Sequence, residues 1–326
     1  MPKRIRAGNT KAERRAERSQ LGQLSQQLVN SQTVSRYASS FASFLSFSGK
    51  TKTQLEMDVS SIDSEMSKYI EFLWRDGEPK SYANYAVASL QHMIPKSRRQ
   101  LTQSWKLVST WNKLELPIRA TPLTPEVAMA FSGTFFKWGW KRMACMIMVG
   151  FSTFLRTGEM FRLRRRHVVS NEANQSAVLF LEDTKTSQRK MVHWEKVIVE
   201  EKVALDCLQF LCNHLSPNDL LVDIPVHQFR KLWSYVVEEL KLTTFRYQPY
   251  SIRRGGATSS YRRGVGFDEL MSRGRWSHLA TARLYLDEGL QELTQLQFTD
   301  QTKTAIRSAC KTFLRCKPVR GAWKDG

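Results

Sequence analysis

Between Val34 and Leu116 apolar residues recur at intervals of three and four, the period of a helix with one buried face. Tyr37, Phe41, Phe44 and Leu45 share a first such face. Ile62, Met66, Tyr69, Ile70 and Leu73 share a second, with Ser60 or Ser61 as its cap and Asp76-Gly77 as its stop. A third helix is expected from about Ser81 to Met93, ending before Pro95, and a fourth holds Leu101, Trp105, Val108 and Leu114. Together they predict a small all-helical domain over residues 21–116.

Pro117, Pro122 and Pro125 then break the pattern, and residues 117–124 read as an interdomain linker. Thr124-Pro125-Glu126 is a helix start, combining a capping hydroxyl, a first-turn proline and an acid near the positive end of the helix dipole. Two apolar helices follow, over about Pro125–Lys137 and Trp140–Phe154. Val178–Glu182 and Lys190–Trp194 read as short strands flanking a turn. Helical spacing returns over about Val203–His214, Val226–Leu240, Ser251–Arg263, Asp268–Met271, Leu279–Tyr285 and Thr299–Cys316. The predicted fold class is mainly α with a small β-sheet. A helical domain is followed by a mixed α/β domain over 125–298, a helical tail over 299–326, and preceded by a basic tail over 1–20.

Composition sharpens this picture. The 326 residues carry 50 Lys and Arg against 30 Asp and Glu, a net charge of +20. With 41% hydrophobic residues the chain can build a core, so wholesale disorder is excluded. The longest apolar run, Met143 to Phe151, is too short to span a bilayer, and no signal peptide is evident, so no membrane partner is expected. Cys145, Cys207, Cys212, Cys310 and Cys316 form no CxxC pair and are expected as free thiols in a reducing, intracellular compartment. Such an excess of positive charge points to a polyanion, nucleic acid first. The six histidines show no metal-ligand spacing, and no nucleotide-binding loop is evident, so no metal or cofactor is expected.

Three segments carry candidate chemistry. In the first, an apolar helix runs into Arg156-Thr157-Gly158-Glu159, where Arg156 is gripped between two helices and Glu159 lies within reach of it. The second, Tyr250-Ser251-Ile252-Arg253-Arg254-Gly255-Gly256, opens a helix with an arginine pair, so guanidinium groups, amides and dipole could converge on one anion. The glycines there also permit close approach of a strand or a phosphate. The third, Gly274-Arg275-Trp276-Ser277-His278, is followed at Tyr285 by a tyrosine. Taken singly, each is compatible with an ordinary packed helix end.

Their order and spacing resemble the tyrosine recombinase (integrase) family over about residues 150–286. Arg156, with Glu159 three residues on and Leu163 seven on, matches that family's first arginine block. Lys185 matches its strand-turn lysine, Arg253 its second arginine, Trp276 the site near the nucleophile, and Tyr285 the nucleophile. The helical domain would then match the family's core-binding domain. The Arg-Arg-Gly-Gly-Ala-Thr block is similar to recombinases of eukaryotic mobile elements. Tyr250 stands where the family carries His, Trp276 where His is commoner, and His167 where an acid often closes the first block. Two residues beyond Trp276, His278 points elsewhere on a helix or turn, so Trp276 is preferred.

The resemblance implies DNA strand cleavage and rejoining through a covalent 3'-phosphotyrosine on Tyr285. Arg156, Arg253, Tyr250 and Trp276 would contact the scissile phosphate, and Lys185 would protonate the leaving oxygen, with Arg189 and Lys190 as competitors for that role. Arg162, Arg164, Arg165, Arg166, Arg189, Lys190, Arg254 and Arg275 are expected to contact non-reacting phosphates. The expected partners are double-stranded DNA and further copies of the chain, as a dimer or tetramer. The segment after the nucleophile would dock on a neighbouring copy. Localisation with DNA follows: in the nucleus for a eukaryotic source, otherwise in the cytoplasm or nucleoid. Two alternatives stay open: a catalytically silent DNA-binding derivative, motivated by Tyr250, and a type IB topoisomerase.

Overall fold

The computed structural model describes residues 10–20, 23–24, 28–58, 60–171, 175–182 and 194–316. The chain divides after Ile118 into two compact units. The first contains α1 (Lys11–Ser19), α2 (Ser31–Ser48), α3 (Lys52–Met57), α4 (Ile62–Arg75), α5 (Lys80–Met93) and α6 (Thr102–Leu114). Within the basic tail, α1 is a helix closed by a reciprocal Thr10–Glu13 capping box, and it buries no residue.

The apolar stripes of α2, α4 and α5 meet as predicted, with Phe44, Ile62, Met66, Ala86, Val87 and Leu90 fully buried. Capping is local and specific. Asn30 accepts from Thr33 N at 2.8 Å to start α2, and Gly49 ends it in the left-handed region at φ +65°. Asp63 of α4 accepts from Gln103 N at 2.8 Å and Ser104 N at 2.9 Å, so one helix caps the next. The expected face of α6 is rotated: Ser104, Val108 and Trp111 are buried, whereas Trp105 and Leu114 face outward. The contact with Asp63 turns Ser104 inward, and a one-residue step rotates the helix face by about 100°.

The second unit contains α7 (Pro125–Lys137), α8 (Lys141–Ser152), α9 (Thr157–Met160), β1 (Val168–Asn171), β2 (Ser176–Glu182), β3 (Trp194–Val199), α10 (Lys202–Cys212), α11 (Val226–Glu239), α12 (Ser251–Arg262), α13 (Phe267–Gly274), α14 (Leu279–Arg283), α15 (Glu288–Leu296) and α16 (Asp300–Cys316). The sheet is antiparallel in the order β1-β2-β3, with Leu179 paired to Val168 on one side and Val197 on the other. Along β2 alternate residues Ala177, Leu179 and Leu181 are buried against the helices. In contrast, β1 has no alternation, one buried residue preceding three exposed ones, so its pattern does not read as a strand.

The expected linker is only half a linker. Residues 120–124 are buried: Thr121 N donates to Arg246 O at 3.0 Å and Leu123 N to Ser251 O at 3.3 Å, building this stretch into the second unit. The C-terminal helix likewise belongs to that unit's core. A Cβ on Gly133 of α7 would meet Ala309 O of α16 at 1.9 Å, Phe313 is fully buried, and Cys310 Sγ donates to Glu126 O at 3.2 Å. Within this chain the helix packs on its own unit. Cys145, Cys207, Cys212 and Cys310 are free thiols. Among the described residues no helix is long and apolar enough to cross a membrane.

Candidate active site

The site is built where the buried helix α8 ends. Phe154, two residues past that end, takes a left-handed conformation at φ +51°, unusual for a residue with a Cβ, and its ring is fully buried. The turn aims the Phe154 carbonyl inward and delivers Arg156 to the start of α9. There the Glu159 carboxylate reaches back, accepting from Arg156 N at 2.8 Å and from its guanidinium at 2.5 Å. Arg156 remains partly exposed, with 28% of its side chain accessible.

Helix α12 supplies Arg253 from its first turn. Gly255 and Gly256 let this helix approach other backbone: a Cβ would meet Leu123 O at 2.3 Å and Phe151 O at 2.0 Å respectively. Chain packing comes close at these glycines. Arg253 is 1% exposed and donates from Nη1 to Phe154 O and from Nη2 to Gly274 O, the latter at 2.6 Å. Its guanidinium carbon stands 5.0 Å from the Trp276 ring centroid and 5.1 Å from that of Tyr285. Burial, then the charges of Arg275 and Arg156, push the Arg253 guanidinium down to about 10, so it stays cationic at neutral pH.

Trp276 follows the end of α13, packed so tightly over Gly274 that a Cβ there would meet its ring at 2.3 Å. The ring lies 4.6 Å, centroid to centroid, from Tyr285 and 6.3 Å from Phe154. Tyr285 itself lies just beyond α14, in the turn where its N–H donates to Ala282 O at 2.9 Å, so the helix expected through it stops short. Thr258 of α12 fixes this turn, donating to Tyr285 O at 3.1 Å and accepting from Asp287 N at 3.3 Å.

Tyr250 is 41% exposed, and its ring centroid is 5.6 Å from that of Tyr285. The titrations of the two phenols diverge. Burial pushes the Tyr250 phenol up, and its hydrogen bond to Tyr285 pushes the same way. Burial also opposes ionisation of Tyr285, but the Tyr250 hydrogen bond and the Arg253 charge outweigh it and hold that phenol below its ordinary value. Of the two, Tyr285 is the phenol whose ionisation its neighbours favour.

Two donors beside this phenol lack acceptors: Arg253 Nε and Trp276 Nε1 are buried, and no acceptor meets either at hydrogen-bonding geometry. Both are close enough to Tyr285 to favour its phenolate, yet neither bonds it. Buried orphan donors are rare and costly, on the order of 1–3 kcal/mol each. Around them the arrangement is strongly cationic and anion-seeking.

Among the predicted site residues, Arg156, Tyr250, Arg253, Trp276 and Tyr285 thus come together from four segments of the second unit. Lys185, Arg189 and Lys190 lie outside the described residues. Arg254 and Arg275, expected on a phosphate-facing surface, are inside instead. Arg254 is 1% exposed and donates from Nη1 to Ala120 O and from Nη2, at 3.1 Å, to Asp287 Oδ2, its Nε also lacking an acceptor. Arg275 is 4% exposed and pairs with Glu159 at 2.7 Å. Arg162 and Arg166 are exposed, while Arg164 and Arg165 are half-buried and donate to the carbonyls of Asn218 and Val168. His167 is buried, its Nδ1 accepting from Arg164 N at 3.1 Å and its Nε2 lying 3.3 Å from Glu182. His278 is exposed.

Sequence reasoning missed Thr258, Asp287 and Glu195 as supports of the site, and periodicity carries no signal for them. Among the described residues no group of three or more His, Cys, Asp or Glu could hold a metal ion.

Comparison of the fold with solved structures places these observations together. A lambda integrase dimer bound to a COC' core site superposes at a TM-score of 0.56 with 13% identity, over 82% of this chain and 92% of that one. XerH site-specific recombinase bound to a palindromic difH substrate, in a post-cleavage complex, gives 0.55 with 14% identity, over 88% and 81%. The chain has the tyrosine recombinase fold. A third structure with this fold, the Tn1549 transposon integrase with a circular-intermediate DNA, gives 0.50 with 12% identity, over 83% and 98%. At these identities the likeness concerns the fold. No family model matches the chain. No curated sequence matches it either.

Proposed function

We propose that this chain cleaves and rejoins double-stranded DNA at specific sites through Tyr285, as a site-specific recombinase or integrase. The observation that carries the reading is the pair of buried, acceptor-less donors, Arg253 Nε and Trp276 Nε1, beside a phenol held below its ordinary pKa. A phosphodiester in in-line attack develops negative charge on its non-bridging oxygens, and donors already in position stabilise that charge without reorganisation.

The Tyr285 phenol releases its proton to solvent and its phenolate oxygen bonds to phosphorus; the bond from phosphorus to the 5' oxygen breaks, and with a proton on the leaving oxygen a 3'-phosphotyrosine and a free 5'-hydroxyl result. Arg156 and Arg253 hold the non-bridging oxygens, with charges that do not titrate away at neutral pH. Tyr250 donates to the Tyr285 oxygen before attack and so favours phenolate. Lys185 protonates the leaving oxygen, a general-acid contribution of roughly 100- to 10,000-fold. Rejoining runs the same step backwards, a 5'-hydroxyl attacking the phosphotyrosine. Exposed arginines such as Arg162 contact phosphates that do not react, each adding about −0.9 to the log–log salt slope on duplex DNA.

A suicide duplex nicked next to the cleaved bond, drawn from the DNA that flanks the gene, tests this. Wild-type protein should trap a covalent adduct and Tyr285→Phe should trap none. Specific binding with no adduct from wild type would instead identify a silent DNA-binding derivative. Relaxation of supercoiled DNA without sequence preference would identify a topoisomerase.

A further inference from the structure

Arg275 is not among the residues that would meet the phosphate, yet two of its partners, Glu159 and the Phe154 carbonyl, are also partners of residues that would. It caps α13 in the left-handed region at φ +57°, a conformation natural to glycine and disfavoured for residues with a Cβ. Something must offset that cost, and the side chain shows what. Its Nη2 donates to Glu159 Oε2 at 2.7 Å and to Phe154 O at 3.3 Å, and its Nη1 to Arg273 O at 3.0 Å. Its Nε stands 3.7 Å from Glu195 Oε2 on β3.

Glu159 is the carboxylate that grips Arg156, and Phe154 O is the carbonyl that accepts from Arg253. The flanking residues join in: Gly274 O accepts from Arg253, and the Trp276 ring underlies it. Glu159 is 3% exposed and lies between two guanidinium groups. Arg275 and Arg156 thus share one buried carboxylate.

We propose that Arg275 is a positioning residue that holds Arg156, through Glu159, and Arg253, through the Phe154 carbonyl, in one arrangement for a single phosphate. The inference rests on the strand-cleavage reading, and it deepens that reading by adding a residue that never touches DNA.

The test measures adduct formation on the nicked duplex at saturating DNA, together with DNA affinity, for Arg275→Met, Arg275→Gly and Arg275→Lys. The Met and Gly variants should slow the step on the order of 10- to 100-fold with affinity unchanged, since misplacement of about 1 Å can cost that much. The Lys variant, which keeps the charge, should recover part of the rate. Combining Arg275→Met with Glu159→Gln should cost less than the product of the two single losses, because the two side chains share the Arg275–Glu159 contact. A second reading needs no DNA: the phenol of Tyr285, followed by a carbon-13 label at Cζ, should titrate at higher pH in Arg275→Met and return towards wild type in Arg275→Lys.

Wild-type cleavage by the folded Met or Gly variant, losses that multiply in the double variant, or equal losses of rate and affinity would overturn the proposal. If wild type forms no adduct, the strand-cleavage reading fails by itself, and an unmoved Tyr285 titration in Arg275→Met then overturns this one. The Gly variant keeps the left-handed backbone unstrained should the Met variant not fold; failure of all three to fold assigns Arg275 to stability alone.

Discussion

Replacing Arg253 with Met separates what this side chain does for the fold from what it does for the site. Arg253 is 1% exposed and, among the described residues, has no carboxylate within ion-pairing distance; its partners are the carbonyls of Phe154 and Gly274. Two charge-assisted bonds are worth roughly 1.5–3 kcal/mol each. Against them stands the desolvation of a guanidinium, several kcal/mol even after relaxation. Repulsion from Arg275 and Arg156 adds to that cost, and the same repulsion pushes the Arg253 guanidinium down. Phe154 O would still accept from Arg275, leaving Gly274 O as the acceptor that loses its arginine. The terms nearly cancel, so Arg253→Met should change the unfolding free energy by no more than about 2 kcal/mol, in either direction. Strand cleavage should fall about 10²- to 10³-fold, the usual consequence of removing one preorganised donor from an oxyanion site. Urea unfolding gives the first quantity and adduct formation on a nicked duplex gives the second. A variant destabilised by more than about 4 kcal/mol that still cleaves within tenfold of wild type would refute the reasoning, because Arg253 would then be a structural residue.

Three further outcomes follow from the same geometry. Tyr250→Phe keeps the ring and removes the hydroxyl bonded to Tyr285; the Tyr285 phenol should rise, so the rising limb of the cleavage-versus-pH profile should move to higher pH. Glu159→Gln leaves buried Arg275 without its close carboxylate and should cost about 3–5 kcal/mol by denaturant unfolding. Burial pushes the Glu159 carboxyl up, but Arg275, Arg156 and Arg253 hold it below the ordinary range; its contribution is therefore full above about pH 4.3 and lost as pH falls through the depressed value, and Gln should remove that acid-range slope. Gly133→Ala places a methyl 1.9 Å from Ala309 O, a backbone atom that cannot swing aside, and should destabilise by about 1–3 kcal/mol in thermal unfolding with little effect on DNA affinity.

Much of the helical scaffold was legible because its residues obey one local rule. Ile62, Met66, Tyr69, Ile70 and Leu73 lie on one face at any tertiary arrangement, and Thr124-Pro125 starts a helix wherever it occurs. Where neighbours decide, the rule failed. Ser104 turned inward in place of Trp105 because Asp63 of another helix bonds it. Residues 120–124 read as a linker because three prolines interrupt the pattern, yet they are buried through hydrogen bonds to residues more than a hundred positions away. β1 is four residues long with no alternation, too short for periodicity to register.

The site divides along the same line. Order and spacing, through the resemblance to the tyrosine recombinase family, singled out Arg156, Lys185, Arg253, Trp276 and Tyr285, with Tyr250 at the family's His position, since order along the chain is a property of the sequence. Adjacent arginines, however, look alike on paper. Arg253 and Arg254 leave one helix about 100° apart, so one turns to Tyr285 and the other to Ala120 and Asp287. Net charge of +20 likewise says nothing of which guanidinium groups face solvent; Arg275 became a buried hub only because the turn at Phe154 and the carboxylate of Glu159 arrive at its fingertips from other segments. Local sequence determined the helices and the order of the candidate site residues, because both depend on near neighbours in the chain. Which charges are spent internally and which stay unpaired beside the phenol was decided by tertiary packing, because desolvation and hydrogen-bond competition depend on what long-range folding brings within a few ångströms.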